Sequence, residues 1–415
     1  MSKRVAVLGG GIVGVCAALE AQIAGFEVVL IDRKKPGRET SFGNAGVLSE
    51  SSVVVLNNPG LIKTLPKLLM NNGIGFRYSP WFVLKNLGWF LKFLSYCTPR
   101  KSQHAAKALR ALMVISLERH KALIKEAKVD ELLRYQGWLK IFRKTESFER
   151  FKAEMKIMDD AGVRYSVYDQ SQIRQLEPGL EPIYKHAVLV DDTCGVNNPA
   201  KLTDAYVDLF LAAGGTVIED SVIGLDHGTQ PWVVRLQSGN DVIADQVVLA
   251  AGAWSAEIAS WLGYRIPMLW ERGYHRHLEP AKAPALKRAI HDIDGGYVMA
   301  PMQTGVRITT GVEMRDRDAE MNFSQLDAAI EDARSHHGFG EPVDAEPWMG
   351  RRPTLVDSLP MLGSAPRHEG LFFNFGHQHI GLSMAPGSGQ VMAALLQGQT
   401  PPIDIAPFNP SRFPI

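Results

Sequence analysis

An apolar run at residues 5–8 breaks at three glycines, resumes as a helical pattern to about Ala24, and returns as a second apolar run that ends in Asp32. That strand, turn, helix, strand order predicts a dinucleotide-holding unit over residues 5–33. Gly9, Gly11 and Gly14 carry the spacing G-x-G-x-x-G. The first permits the tight turn, the second lets backbone approach a pyrophosphate, and the third lets the helix pack closely on the strand. Ile12 and Val13 open the helix, whose free amides face the phosphates. Asp32 stands where a carboxylate accepts both ribose hydroxyls, which argues against a 2′-phosphorylated cofactor. Lys3 and Arg4 before apolar residues imitate a signal peptide, but the glycines interrupt the run and Glu20 ends it, so no cleaved leader is expected.

Farther on, TSFGNAG (40–46) has the small residues of a loop passing close to a ligand; an Asx-type turn is the plain alternative. Residues 53–100 change character, with Leu61, Leu65, Leu68 and Leu69 and then an aromatic stretch at 81–96 interrupted by Lys85 and Lys92. Such a stripe is expected to be the buried face of a globular helix; the alternative is an amphipathic segment lying on a membrane interface. Leu109, Leu112, Ile115, Leu123 and Ile124 predict a helix over about 102–128. Strand 137–143, helix 148–161 and short strands at 163–168 and 187–190 follow. Asn198 caps a helix with Pro199 in its first turn and Gly214 past its end. Strands at 216–218, 233–236 and 247–250 return the chain to the nucleotide unit, so that unit is discontinuous. Strand 271–280, a hairpin at 297–313, a helix at 324–337 with a Ser324/Asp327 capping pattern, strand 371–376 and a helix from about Pro386 to Gln397 complete the pattern.

At 415 residues the chain holds two or three folding units. A net charge of +1 with 21% charged residues excludes a strong field for nucleic acid. Cys16, Cys97 and Cys194 are scattered, which argues against disulfides and metal ligation and for a reducing compartment. No uncharged apolar run reaches the ~18 residues of a membrane span. A cytoplasmic chain is therefore expected, with a peripheral contact at the inner membrane face through 81–96 as the variant.

VLGGGIVG with Asp32, TSFGNAG, VLAAGAWS, the Arg-Pro pair of WMGRRPTLVDSLPMLG, and FGHQHIGLSMAPGSGQ stand in an order that resembles the FAD-dependent amino-acid oxidoreductases. The nearest resemblance is to the D-amino-acid dehydrogenase small-subunit family; glycine and sarcosine oxidases are more distant. It covers nearly the whole chain. It implies an α/β fold: a Rossmann-like FAD-binding domain of the glutathione-reductase type over 1–52, 191–263 and 346–415, and an α+β substrate domain on a mixed sheet over 53–190 and 264–345.

By the same resemblance, Gly9, Gly11, Ile12, Val13, Gly14, Asp32 and Arg33 hold the ADP half of FAD. Thr40, Ser41, Asn44, Ala45 and Gly46 form the flavin-side loop. Val222 faces adenine, and Ala251, Gly252 and Trp254 make the return contact. Gly376, Gly381, Leu382 and Ser383 lie under the flavin pyrimidine, where helix amides near Pro386 stabilise arriving negative charge. Arg352 clamps the substrate carboxylate with its planar fork, whereas Arg351 reads as a surface arginine paired with an acid. Tyr274 faces the substrate or is a buried core tyrosine. His377 and His379 accept an amine proton or bond the flavin. The implied reaction is oxidative deamination of a D-amino acid, by a dehydrogenase rather than an oxidase. The electron acceptor is a quinone, an electron-transfer partner or oxygen. Two segments depart from the family pattern: the loop with Gln378 in place of glycine and His379 where a small polar residue is common, which leaves open a secondary amine such as D-hydroxyproline, sarcosine or an opine, and Thr354 to Ser358 in place of T-P-D-G, so that substrate preference does not carry over. A membrane-docked electron-transfer subunit is the other alternative.

Overall fold

A computed structural model describes residues 2–227, 231–280 and 284–415. The run at 5–8 is apolar throughout because its strand, Arg4–Leu8, lies inside a six-stranded sheet and is covered on both faces. Thr216–Glu219, Glu27–Asp32, Arg4–Leu8, Gln246–Leu249 and Leu371–Phe375 run parallel in that order, with Met361–Ser364 antiparallel at the edge. Strand alternation sends Val5 and Val7 into a core with helices Ile12–Ile23, Pro199–Ala212 and Gly381–Leu396. Ala6 and Leu8 face the other way, onto the three-stranded sheet Val222–Asp226, Trp232–Leu236 and Val242–Ala244.

The second unit is a ten-stranded mixed sheet. Its centre runs Met268–Leu278, Gly305–Thr310, Tyr297–Met302, Ile290–Asp292, Trp138–Phe142 and His186–Val190, with Ile290–Asp292 parallel to Trp138–Phe142. Strand Trp348–Leu355 also joins this sheet, pairing with Met268–Leu278 over eight residues. The segment starting at 346 thus begins in the substrate-side sheet and crosses to the nucleotide sheet only afterwards. Helix Pro99–Glu126, expected on the substrate side, packs on Gly381–Leu396 and puts Leu117, Leu123 and Ile124 into the nucleotide-side core.

The aromatic stripe does not form a buried helix face. Helices Pro59–Leu69, Pro80–Lys85 and Leu87–Leu94 bury Phe82 alone, while Trp81 is 68% and Leu91 60% exposed.

The last helix also departs from expectation, starting at Gly381 and carrying Pro386 inside it. Proline cannot donate to the carbonyl four residues back, so the Leu382 carbonyl is left without its helical partner. His120 Nε2 fills that vacancy, lying 2.8 Å from the Leu382 oxygen, while its Nδ1 lies 2.7 Å from the Tyr206 hydroxyl. Since Nε2 must donate, Nδ1 accepts from Tyr206, and burial holds the ring neutral by pushing its pKa down to about 4. His120→Ala strands a buried carbonyl and a buried hydroxyl, and is expected to cost about 2–3 kcal/mol of stability, read as a lower denaturant midpoint at unchanged slope.

Candidate active site

One cavity of about 1540 Å³ runs between the two sheets, from the glycine turn to the face of the large sheet. Its nucleotide end is shaped by atoms the glycines lack. A Cβ on Gly14 would lie 1.8 Å from the Gly9 carbonyl oxygen, and one on Gly9 2.5 Å from the Ala250 oxygen, so both are fixed by close backbone approach. A Cβ on Gly11 would meet nothing nearer than Ser41 Oγ at 3.4 Å, so space is left open beside the N-terminus of Ile12–Ile23. Asp32 closes this end and accepts from the Gly10 and Lys34 amides at 2.6 and 2.9 Å, while burial raises its pKa against those bonds. Arg33, Val222, Ala251, Gly252 and Trp254 line the same stretch, and the Arg33 guanidinium lies 4.0 Å from the Trp254 ring centroid.

Loop 40–46 crosses the middle. Ser41 Oγ accepts from the Ile12 amide at 2.9 Å, and Thr40 Oγ1 donates to the Arg351 carbonyl at 2.8 Å. Asn44 Oδ1 accepts from the Gly46 amide, and Ala45 lines the cavity beside them. Arg307, which sequence reasoning missed, reaches from the large sheet to donate to the Phe42 and Asn44 carbonyls at 3.2 and 2.5 Å. Its Nε donates to His277 Nε2 at 3.1 Å, which leaves His277 Nδ1 to face Asp344 at 2.8 Å. A lone arginine in a strand pattern carries no sequence signal for that role.

Gly381, Leu382 and Ser383 form the first turn of the last helix and line the cavity, so the dipole end expected near Pro386 is here, five residues earlier. Ser383 Oγ donates to the Val47 carbonyl and accepts from the Ser49 amide. Gly376 turns the chain at φ 86°. Gln378 keeps the left-handed backbone that glycine adopts freely, at φ 50°, and spends its side-chain amide on the carbonyl of Ser358, itself at φ 60°. The two departures from the family pattern are therefore one joined device. Asn374, at the end of its strand, lines the cavity with neither amide atom partnered. An asparagine inside the apolar run LFFNF was its only signal.

Arg352 stands at the far side. Its Nη1 donates to the Gly311 carbonyl at 2.8 Å and its Nη2 to Thr310 at 3.4 Å. The guanidinium occupies the space a Cβ on Gly273 would take, 2.3 Å from Nη2. Among the described residues no carboxylate lies within 4.0 Å of it, although Glu271 faces it from the adjacent strand. Enclosure lowers its pKa and Glu271 opposes that, leaving a cation without an ion-pair partner. Arg351 is paired with acids as expected, 3.6 Å from Asp318 and 4.0 Å from Glu39, but it is half-buried and not a surface side chain.

The structure removes Tyr274 from the site. On strand Met268–Leu278 it points to the face opposite Gly273, is fully buried, and donates to Glu313 at 2.5 Å while accepting from Arg272 at 2.8 Å. His377 reaches the cavity wall, but its Nε2 is paired with Ser388 Oγ at 2.9 Å, and burial pushes its pKa down to about 3. It is a structural partner of the last helix, not a base for an ammonium. His379 is exposed on the cavity; desolvation between the cavity walls, with the Arg352 and Lys140 cations nearby, pushes its pKa down to about 3. A ring held neutral between two cations is suited to hydrogen bonding, not to holding a proton.

The open space beside the helix, the Asp32 carboxylate at the strand end and the two helix N-termini fit an extended dinucleotide, and the arginine without an ion-pair partner among the described residues, across from them, fits an anionic substrate. This is the layout of a flavoprotein oxidoreductase. The chain belongs to the family described as FAD dependent oxidoreductase (DAO), whose pattern matches residues 4–395. It is 31% identical over 421 residues to a D-amino-acid oxidase of Bradyrhizobium diazoefficiens, covering 99% of each chain. It is 28% identical to D-amino acid dehydrogenase 2 of Mesorhizobium japonicum, over 97% of this chain and 98% of that one. Among solved structures it is similar to glycine oxidase from Geobacillus kaustophilus, at TM-score 0.75 and 20% identity over 99% and 100% of the two chains. The cofactor is FAD.

Proposed function

We propose that the protein oxidises a D-amino acid to the imino acid, which water converts to the 2-oxo acid and ammonia. The observation that carries this reading is the unpaired Arg352 guanidinium, opening on the cavity that also contains the glycine cradle. Gly9, Gly11, Ile12, Val13, Gly14, Asp32 and Arg33 would hold the ADP half, and loop 40–46 with Gly376 and residues 381–383 the flavin half. Bound FAD supplies the two-electron acceptor for the Cα hydrogen. The chain supplies the rest: Arg352 orients the carboxylate by a two-pronged contact, neutral His379 offers a hydrogen bond beside it, and the first-turn amides at 381–383 favour negative charge. D-configuration rests on the D-amino-acid names of the relatives. Anaerobic mixing of the yellow protein with a panel of D-, L- and N-alkyl amino acids tests the reading. Bleaching by D-amino acids is expected; bleaching only by L- or N-alkyl substrates overturns it.

The electron acceptor is proposed to be reached at a membrane face. No helix among the described residues is long and apolar enough to cross a membrane. Yet Trp81, Leu84, Leu87 and Leu91 are exposed together with Leu69 and Met70. Residues 51–100 contain Lys63, Lys67, Arg77, Lys85, Lys92 and Arg100 and no acidic residue. Apolar side chains whose own segment carries cations and no acid, although Lys85 lies 3.8 Å from Asp316 of another segment, suit an anionic bilayer surface. The protein is expected to float with vesicles containing anionic lipid and to be released by Trp81→Glu with Leu91→Glu; flotation unchanged by that pair removes this surface from consideration.

A further inference from the structure

Beyond Arg352 the cavity continues to a second cluster of unpaired polar groups, on the strand Trp138–Phe142 and its neighbour Ile290–Asp292. Trp138 and Lys140 are two apart on one strand and so share a face; His291 is the register partner of Lys140 and shares it too. The Trp138 ring lies parallel to His291 at 6.1 Å and 5°. The Lys140 ammonium lies 4.7 Å from the Trp138 centroid and 5.0 Å from that of Phe151, contacts that hold the cation in place without using its N–H donors. Lys140 is 8% exposed, donates no hydrogen bond, and has no carboxylate within 4.0 Å among the described residues. Among the described residues, Trp138 Nε1 and His291 Nδ1 are buried without a partner. Buried donors are ordinarily satisfied, so three unsatisfied groups on one cavity face mark a place for a ligand.

We propose that Trp138, Lys140 and His291 form a subsite for a second carboxylate, carried on the side chain or nitrogen substituent of the substrate. This deepens the amino-acid oxidation proposed above and rests on it. The chemistry of the occupant follows from the donor count. An ammonium offers three donors and an indole N–H, itself enclosed, a fourth, and a neutral imidazole adds either a donor or an acceptor. Among the described residues Glu154, on the helix opposite, is the acid acting on Lys140; burial raises its pKa and the Lys140 cation opposes that. His379, facing both Lys140 and Arg352, carries no charge to repel or attract the occupant. Between the Gly311 carbonyl that anchors Arg352 and Lys140 lie three strand spacings, about 14 Å along the sheet and less by the reach of both side chains. A simple alanine-sized substrate leaves that distance unbridged, whereas a dicarboxylic amino acid or an N-carboxyalkyl amino acid spans it.

The test is equilibrium binding of acids that cannot be oxidised, followed in the holoenzyme by calorimetry and by perturbation of the flavin spectrum. Glutarate and adipate are compared with pentanoate and hexanoate, for the wild type, for Lys140→Met, and for Trp138→Phe, which removes the N–H and keeps an aromatic ring. At least one diacid is expected to bind about tenfold or more tightly than its matched monoacid; Lys140→Met erases that advantage while leaving monoacid affinity within about twofold, and Trp138→Phe reduces it in part. Monoacid binding with no diacid advantage overturns the subsite and leaves the amino-acid reading standing. Equal losses for both acids in Lys140→Met likewise overturn the subsite, as does a preference for diamines directed at Glu154. Failure of every acid to perturb the holoenzyme overturns the carboxylate clamp and the subsite together.

Discussion

Replacing Arg352 by methionine is expected to lower kcat/KM for amino-acid substrates by about 10²-fold or more, with most of the loss in KM. The guanidinium is enclosed, donates to two carbonyls through Nη1 and Nη2, and among the described residues has no acid within ion-pair distance. Its remaining donors are therefore available to a substrate carboxylate in a cavity where such contacts are poorly screened. Removing one partner of a buried charge-assisted pair costs about 2–5 kcal/mol, which sets the expected size. Because the carboxylate is held equally before and during reaction, the effect falls on binding. Arg352→Lys keeps the charge but not the fork and is expected to recover only part of the loss. Stopped-flow flavin reduction over a range of substrate concentrations reads both quantities; an unchanged apparent dissociation constant in Arg352→Met would falsify the clamp.

Gly11→Val is expected to yield a folded, colourless protein. Gly11 has an extended backbone, φ −65° and ψ 166°, that valine also adopts, and its Cβ meets only Ser41 Oγ at 3.4 Å, so the chain itself tolerates the change. The added isopropyl group fills the approach to the helix N-terminus that the pyrophosphate needs. The wild type should gain thermal stability from added FAD by mass action, about 2.7 kcal/mol at a hundredfold excess over Kd, and the variant should gain none. Gly14→Ala is the contrast: its Cβ would lie 1.8 Å from a backbone oxygen, so it should fail to fold with or without cofactor. A yellow Gly11→Val protein with normal FAD affinity would mean that the pyrophosphate lies elsewhere.

The glycine cradle, Asp32, the 40–46 loop, the return of the chain at Ala251 to Trp254 and the position of Arg352 were legible in the chain itself. Each depends on a local requirement that a short motif records: a missing Cβ, a turn, a carboxylate at a strand end, a guanidinium before proline. Tyr274 was not legible, because ERGYHRHLEP carries polar residues at both odd and even positions and gives no parity. Pairing with Trp348–Leu355 and with Gly305–Thr310 fixed which face is which, turning Gly273 toward Arg352 and Tyr274 toward Glu313.

Likewise Pro386 reads as a helix start from local chemistry alone. Only the approach of His120, 262 residues from Leu382 in sequence, supplies the donor that lets the helix begin at Gly381 and point its free amides into the cavity. Lys140 and His291 looked unrelated along the chain, and register between two strands made them neighbours. Sequence thus pointed to where a dinucleotide and a carboxylate are proposed to be held, since steric and donor requirements at those positions are local. Tertiary structure decided which side chains share the space between them, since strand parity, long-range pairing and burial are properties of the packed chain.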